Sequence, residues 1–343
     1  MDTVLRKLVF ALDPERAHAW GLGCLDAVAR LGWSNAPPRG CPEEAVDVMG
    51  LRFPNAVGAA AGLDKNGDHL RALTALGFGF IELGTVTPRP QPGNERPRLF
   101  RIPKKRAVIN RLGFNNKGVD HLTARLADAS VRPVVGVNIG KNRDTPVGQA
   151  TDDYRYAFQA VYACADYVTV NISSPNTPGL RSLQGGEALT DLLGVLKDDQ
   201  ARLHGEYGRY VPLVVKIAPD MADEELVSLG RALIDAGIDG VSATNTTTDH
   251  QAVAGFRYGD QTGGLSGAPL MAPATAVLAR LRAIVGPQLP VIGVGGVLTG
   301  DDAEAKWRAG ADLVQVYTGL IYRGSRLVRE MRGAIAAARL AGT

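Results

Sequence analysis

The chain has 343 residues, 45% of them apolar and 21% charged, with 38 basic residues against 35 acidic. That length and balance suit one large globular domain with a small appendage, or two ordinary domains. A net charge of +3 with no long basic run argues against nucleic acid as a partner.

Three cysteines, Cys24, Cys41 and Cys164, are odd in number and widely spaced. A disulfide framework or a structural zinc site is not expected, and a reducing compartment is the default. No His/Asp/Glu cluster has metal-ligand spacing, so no metal is expected. The N-terminal residues lack a secretory apolar core followed by a cleavage site. No run of about 18 apolar residues is present, so a bilayer-spanning helix is not expected. Association with a membrane surface stays open.

Residues 1–45 read as a segment apart from the main domain, 46–343. Leu5, Leu8, Val9 and Leu12 recur at helical spacing. Asp13-Pro14 then supplies an N-cap and a first-turn proline. A second amphipathic stretch runs from Glu15 to about Leu31, with Ala19, Trp20, Leu22, Leu25, Val28 and Leu31 on or near one stripe. Asn35 to Gly40 reads as a linker. The segment is expected to be a short helical hairpin. Its stripe either packs on the main domain or forms an interfacial element that admits an apolar molecule to a buried site.

Beyond residue 45, short β-rich runs alternate with helical patterns. The runs lie at 56–60, 80–83, 134–139, 167–172, 213–218, 240–245, 290–295 and 313–317. Helical candidates fall at 185–203, 222–236, 270–285 and 301–309. Near-continuous apolar strands separated by helices indicate a parallel sheet. Eight such units predict a closed (β/α)8 barrel, the TIM barrel. A dinucleotide-binding sheet fits less well, since no GxGxxG opens a helix after the first strand. The stretch from Thr85 to Asn116 is too long for a simple loop and holds five prolines. Extra short strands covering one barrel mouth are expected there.

In such a barrel the active site lies at the C-terminal ends of the strands. Those ends carry Lys65, Thr85, Asn138, Asn171, Lys216, Thr244-Asn245-Thr246, Gly295-Gly296 and Tyr317-Thr318-Gly319. The glycines after the last two strands allow close backbone approach to a ligand phosphate, and FMN fits that reading. Gly264-Leu-Ser-Gly267 is a further source of backbone N–H groups, or an ordinary turn. Lys216 sits in an apolar strand and so needs a partner or a polar cavity. Facing the cavity, its charge would favour a reduced flavin; otherwise it is a structural ion pair, and the same choice holds for Lys65. Ser173, Ser174, Asn176 and Thr177 lie in a turn-rich loop after the fourth strand. No histidine is placed to serve a Ser-His-Asp triad, so a hydrolytic serine is disfavoured. A serine acting as a base on a C–H beside a carbonyl remains open.

Together these motifs resemble the quinone-dependent (class 2) dihydroorotate dehydrogenases. The matching stretches include AAGLDKNG (60–67), GTVTPRPQPGN (84–94), INRLGFNN (109–116), NISSPNTPGL (171–180), KIAPD (216–220) and VQVYTG (314–319). They run in order over almost the whole chain. Ser174 stands where the soluble class carries a cysteine, and the N-terminal extension is one the soluble class lacks.

The resemblance implies FMN contacts from Ala61, Gly62, Lys65, Thr85, Asn138 and Asn171. It implies further FMN contacts from Lys216, Thr244, Gly267, Gly296, Tyr317 and Thr318. Dihydroorotate would meet Lys65, Asn110, Arg111, Leu112, Gly113 and Phe114, and also Asn171, Asn176, Asn245 and Thr246. Ser174 would be the catalytic base. A quinone would enter through a tunnel near His18 and Arg101. The implied enzyme works in UMP biosynthesis. A monomer is expected, since the pattern shows no second large apolar surface, and the lack of an evident transit peptide favours peripheral binding to the cytoplasmic side of a bacterial inner membrane. Thr318 replaces a serine common in the family, and its hydroxyl persists. Two alternatives remain: another FMN barrel oxidoreductase with a different substrate or acceptor, and a barrel that binds a phosphate-bearing ligand without turnover.

Overall fold

A computed structural model describes residues 10–32, 44–128 and 133–341. Leu5, Leu8, Val9, the linker Asn35 to Gly40, and Cys41 lie outside the described residues. Helix α1 (Pro14–Arg30) begins as its sequence demands: Asp13 accepts hydrogen bonds from the N–H of Glu15 and Arg16, and Pro14 occupies the first turn.

A small ribbon, β1 (Val46–Val48) with β2 (Leu51–Phe53), precedes the barrel. The barrel strands are β3 (Val57–Ala59), β4 (Phe80–Val86), β7 (Val134–Ile139) and β8 (Tyr167–Asn171), then β9 (Leu213–Ile217), β10 (Gly240–Ala243), β12 (Val291–Val294) and β13 (Leu313–Val316). All eight pair in parallel, and β13 closes the ring onto β3. Each strand overlaps one of the eight runs read from the sequence. The outer helices are α2 (Leu70–Ala75), α3 (Val119–Ala127), α4 (Ala150–Val161), α5 (Gly186–Tyr207), α6 (Asp223–Asp235), α7 (Met271–Val285), α8 (Gly300–Arg308), α9 (Thr318–Arg323) and α10 (Arg326–Ala341). The stretch Ala268–Val285 is apolar enough by composition to cross a bilayer. Here all but its first three residues form α7, whose Val277, Leu278 and Leu281 are buried in the core.

The barrel interior is layered. At the bottom, Phe53 packs edge-on against Phe80, and Phe80 against Tyr167. Large rings fit there only because β3 and β7 carry glycine opposite them: a Cβ at Gly58 would lie 2.3 Å from the Phe80 ring, and one at Gly136 2.1 Å from that of Tyr167. The next layer is polar. Glu82 is fully buried and accepts hydrogen bonds from Asn138 (2.8 Å), Gln315 (2.8 Å) and Tyr167 (3.2 Å). Above it lies a cavity at the C-terminal ends of the strands.

The long stretch after β4 supplies β5 (Leu99–Ile102) and β6 (Ala107–Asn110). These pair antiparallel with β11 (Gly264–Gly267) into a three-stranded sheet beside the mouth. The Gly264–Gly267 segment is therefore a strand and not an ordinary turn: it pairs with β6, and the N–H and C=O of Leu265 go to Thr247 on its other side.

Helix α1 docks on the same side. Ala17, Leu22 and Ala29 face inward, whereas Trp20 (52% exposed), Val28 and Leu31 (88% exposed) face out. The single stripe read from the sequence is thus split between two faces. At the far end, α10 reaches back to the start of the domain. Arg332 pairs with Glu44 (2.7 Å), and Arg339 donates to the carbonyls of Glu44 and Ala45.

Candidate active site

The cavity holds about 1030 Å³ of atom-free space, part of it open to solvent. Its floor is an amide–hydroxyl network built by strand ends. Thr85 donates to Asn138 Oδ1 (2.5 Å), and Asn171 Nδ2 donates to both Thr85 Oγ1 (2.9 Å) and Asn138 Oδ1 (3.1 Å). Asn138 lies under the cavity lining and ties this network to Glu82. Gln315 gives its amide N–H to Glu82, which leaves its buried carbonyl oxygen without a partner among the described residues. An orphaned acceptor at a cavity wall suits a ligand N–H.

Two lysines line the same space. Burial pushes the Lys216 ammonium below its usual range, opposed by the negative charge of Glu82. Burial also lowers Lys65, to about 8; the carboxylate of Glu15 raises it and the guanidinium of Arg98 lowers it further. Burial raises the Tyr317 phenol to about 12. It therefore stays neutral, a packing wall beside Gly62.

One end of the cavity is made of backbone. Gly295 and Gly296 hold positive φ of 110° and 83°, and a Cβ at Gly296 would lie 2.2 Å from the Met271 backbone. Only glycine allows the loop to press there. Gly267, Thr318 and Gly319 complete this end, where the short helix α9 starts. Ser266 and Thr318 share a hydrogen bond of 2.8 Å. Loops after the seventh and eighth strands, with a short helix, form the usual phosphate corner of this architecture.

The other end is lined with amides. Asn176 donates to Asn110 Oδ1 (3.3 Å), and Asn110 donates to the Gly264 carbonyl. Asn245 donates to Ser173 Oγ (3.0 Å) and orders Thr246 through its own carbonyl oxygen (2.8 Å). Ser174, buried, lines the cavity and among the described residues receives only the N–H of Asn176 (3.3 Å). The adjacent serines thus differ: Ser173 is tied down, and Ser174 Oγ is left to the cavity.

Most residues singled out in the sequence line this one space. Ala61, Gly62, Thr244, Leu112, Gly113 and Phe114 are among them. Arg111 is not. Its guanidinium turns away to Gln261, Thr262 and the Pro97 carbonyl, and stacks over Phe100. His18 and Arg101 also lie off the lining. His18 bonds the Leu63 carbonyl (2.9 Å), and burial lowers its pKa to about 4. Arg101 holds the carbonyls of Phe10 and Leu12 and lies over the Phe10 ring. Phe10 and Tyr322 meet edge to face in an apolar cluster with Val108 and Leu99, two residues that also line the cavity. Glu82 and Gln315 went unread in the sequence. The signal was the one that exposed Lys216: a polar residue inside an apolar strand, here FIEL and LVQVY.

The cavity's make-up fits an aromatic cofactor with a phosphate tail beside a small heterocycle. An orphaned carbonyl and two lysines would suit the ring, the glycine corner would suit the tail, and the amides would suit the second ligand.

A family model described as dihydroorotate dehydrogenase matches residues 44–338. Proteins called dihydroorotate dehydrogenase (quinone) from Marinobacter nauticus and Cellvibrio japonicus are each 54% identical, over 338 and 336 residues, and 98% of this chain and of each relative is covered. A crystal structure of DHODH from Eimeria tenella in complex with ferulenol superposes with a TM-score of 0.89 at 37% identity, covering 98% of this chain and 96% of that one.

Proposed function

The chain belongs to the dihydroorotate dehydrogenase family, and from that premise we propose that it oxidises (S)-dihydroorotate to orotate in pyrimidine biosynthesis, passing the electrons through FMN to a membrane quinone. The observation that carries this reading is one cavity joining Ser174, the Asn110–Asn176 and Asn171–Asn245 amides, and the lysines Lys65 and Lys216. FMN supplies the hydride acceptor and the relay to quinone.

The chain's residues do the rest. A dihydropyrimidine edge alternates N–H and C=O, and each asparagine offers one donor and one acceptor to match. Such a pocket rejects rings that leave its amides unpaired. Lys65 balances the substrate carboxylate while it keeps its proton. Ser174 Oγ takes the C5 proton as its own hydroxyl proton is relayed out through a water at the cavity mouth, with Leu112 and Phe114 shielding the rest of the site. Lys216 places a cation at the floor, where it favours negative charge on a bound ring. Arg111 supports the substrate loop from outside the cavity instead of touching the ligand.

The acceptor side is supported by α1. Its outward Trp20, Val28 and Leu31 suit insertion into the headgroup layer. The apolar Phe10–Tyr322 cluster links that helix to the cavity wall. His18 and Arg101 then border a quinone path and hold its helix in place. On this reading residues 1–45 are the membrane and quinone segment of a monomer on the cytoplasmic face of a bacterial inner membrane, and residues 46–343 are the catalytic domain.

The test uses protein purified in detergent, without oxygen. L-Dihydroorotate bleaches the flavin absorbance, and a soluble quinone restores it. Recovery with fumarate or NAD but not quinone overturns the acceptor; a bound flavin that dihydroorotate leaves unbleached overturns the substrate.

A further inference from the structure

Among the described residues Ser174 has no histidine or carboxylate as a hydrogen-bond partner, so its aim depends on the backbone of its own loop. Arg181 grips that loop's backbone from outside. Arg181 sits in the turn Leu180–Gln184 that follows the loop, anchored by buried Leu180 and Leu183. Its Nε donates to the carbonyl of Ser173 (3.1 Å), the residue next to Ser174. One terminal nitrogen donates to the carbonyl of Thr246 (3.2 Å) on the loop after β10. The other pairs with Asp220 (2.9 Å) on the loop after β9.

Asp220 is itself fixed by the Thr247 hydroxyl and by the N–H (2.9 Å) and hydroxyl (3.1 Å) of Thr248. Gln184, at the end of the same turn, accepts the N–H of Ala218 (2.8 Å). One planar guanidinium therefore binds three consecutive barrel loops at fixed angles. A lysine, with a single nitrogen, cannot reproduce that fork.

We infer that Arg181 is a positioning residue that sets the aim of Ser174 toward a substrate held by Asn245 and Thr246, with Asp220 as its anchor. This rests on the reading of Ser174 as the base. The arginine touches neither ligand. It acts by keeping the serine's loop and the substrate's loop in register, and small misplacements of a base cost much of its rate.

The experiment separates the two half-reactions by anaerobic stopped flow. Arg181→Ala is expected to retain flavin and to bleach with dihydroorotate about 10- to 100-fold more slowly. Quinone should reoxidise its chemically reduced flavin at the wild-type rate. Added guanidinium ion should restore part of the lost bleaching rate, which a merely structural role does not explain. Asp220→Asn keeps the arginine and loosens its anchor, so it should slow bleaching in the same direction by a smaller factor. This variant carries the test if Arg181→Ala fails to hold flavin. Bleaching at the wild-type rate in Asp220→Asn and in any flavin-bearing Arg181→Ala overturns the inference, as does equal slowing of both half-reactions. Failure of the wild-type protein to bleach overturns the dehydrogenase reading instead, and the two failures are thereby distinct.

Discussion

Helix α1 and the barrel mouth use their side chains in opposite ways. At the mouth, Thr85, Asn138 and Asn171 satisfy one another in a closed network, and burial moves the pKa of both lysines. On α1, Trp20 and Leu31 point to solvent with apolar surface unspent. The helix is held to the barrel by a few polar pins. Glu15 takes the buried Arg98 guanidinium (2.9 Å), His18 meets Leu63, and Asp26 meets His69 (2.5 Å). One region is built to order a ligand. The other is built to stay attached while it presents a greasy face. The pins also show that the division is not clean, because Arg98 holds the Pro92 and Asn94 carbonyls that back the substrate loop.

The largest effect that can test this contrast is at the mouth. Ser174→Ala should keep its flavin yet slow flavin reduction by dihydroorotate by roughly 10²–10⁴-fold, with quinone reoxidation unchanged in single-turnover traces. Near-normal reduction would remove Ser174 from the chemistry. A smaller effect comes from pH. The Lys65 ammonium loses its proton as pH rises through about 8, so the cation that meets a carboxylate is present below that value and fades above it. Orotate affinity, read from the flavin spectrum between acid and alkaline buffers, should fall by up to about tenfold per pH unit above that point; a flat profile would detach Lys65 from the carboxylate. The smallest effect belongs to α1. Trp20→Ser should weaken binding to phospholipid vesicles by roughly fivefold, about 1 kcal/mol for a side chain already half exposed, and leave bleaching by dihydroorotate as it was. Unchanged vesicle binding would return the outward face of α1 to ordinary surface.

The same contrast explains what could be read from the sequence. The barrel was legible because its strands are buried on both faces and stand out as unbroken apolar runs; VVGVNI at 134–139 is β7 to the residue. The mouth followed from it, since strand ends in this architecture face one cavity. That the Arg111 guanidinium lies off the cavity lining was not legible, because a motif gives order along the chain but not the direction of a side chain, and here Phe100 and Gln261 draw it outward. Glu82 was overlooked because one carboxylate inside an apolar strand reads as noise until Asn138, Gln315 and Tyr167 arrive from three other strands. The helix was read as one apolar stripe, although Leu22 and Leu25 of it pack on the core while Trp20, Val28 and Leu31 face out. Periodicity does not tell which of two apolar faces meets protein. Arg181 was beyond reach for a similar reason: its three acceptors come from three loops that only the closed barrel brings together.

The pairing of β13 with β3 fixes a timetable for the cell as well as a shape. Val57 finds its neighbour Val314 only at the end of synthesis, and Glu44 waits still longer for Arg332. At common rates of translation the first barrel strand emerges roughly 10–50 s before the last. During that interval α1 is already outside the ribosome with Trp20 and Leu31 in water. The nascent chain thus exposes the outward apolar face of α1 before the barrel that anchors the helix has closed.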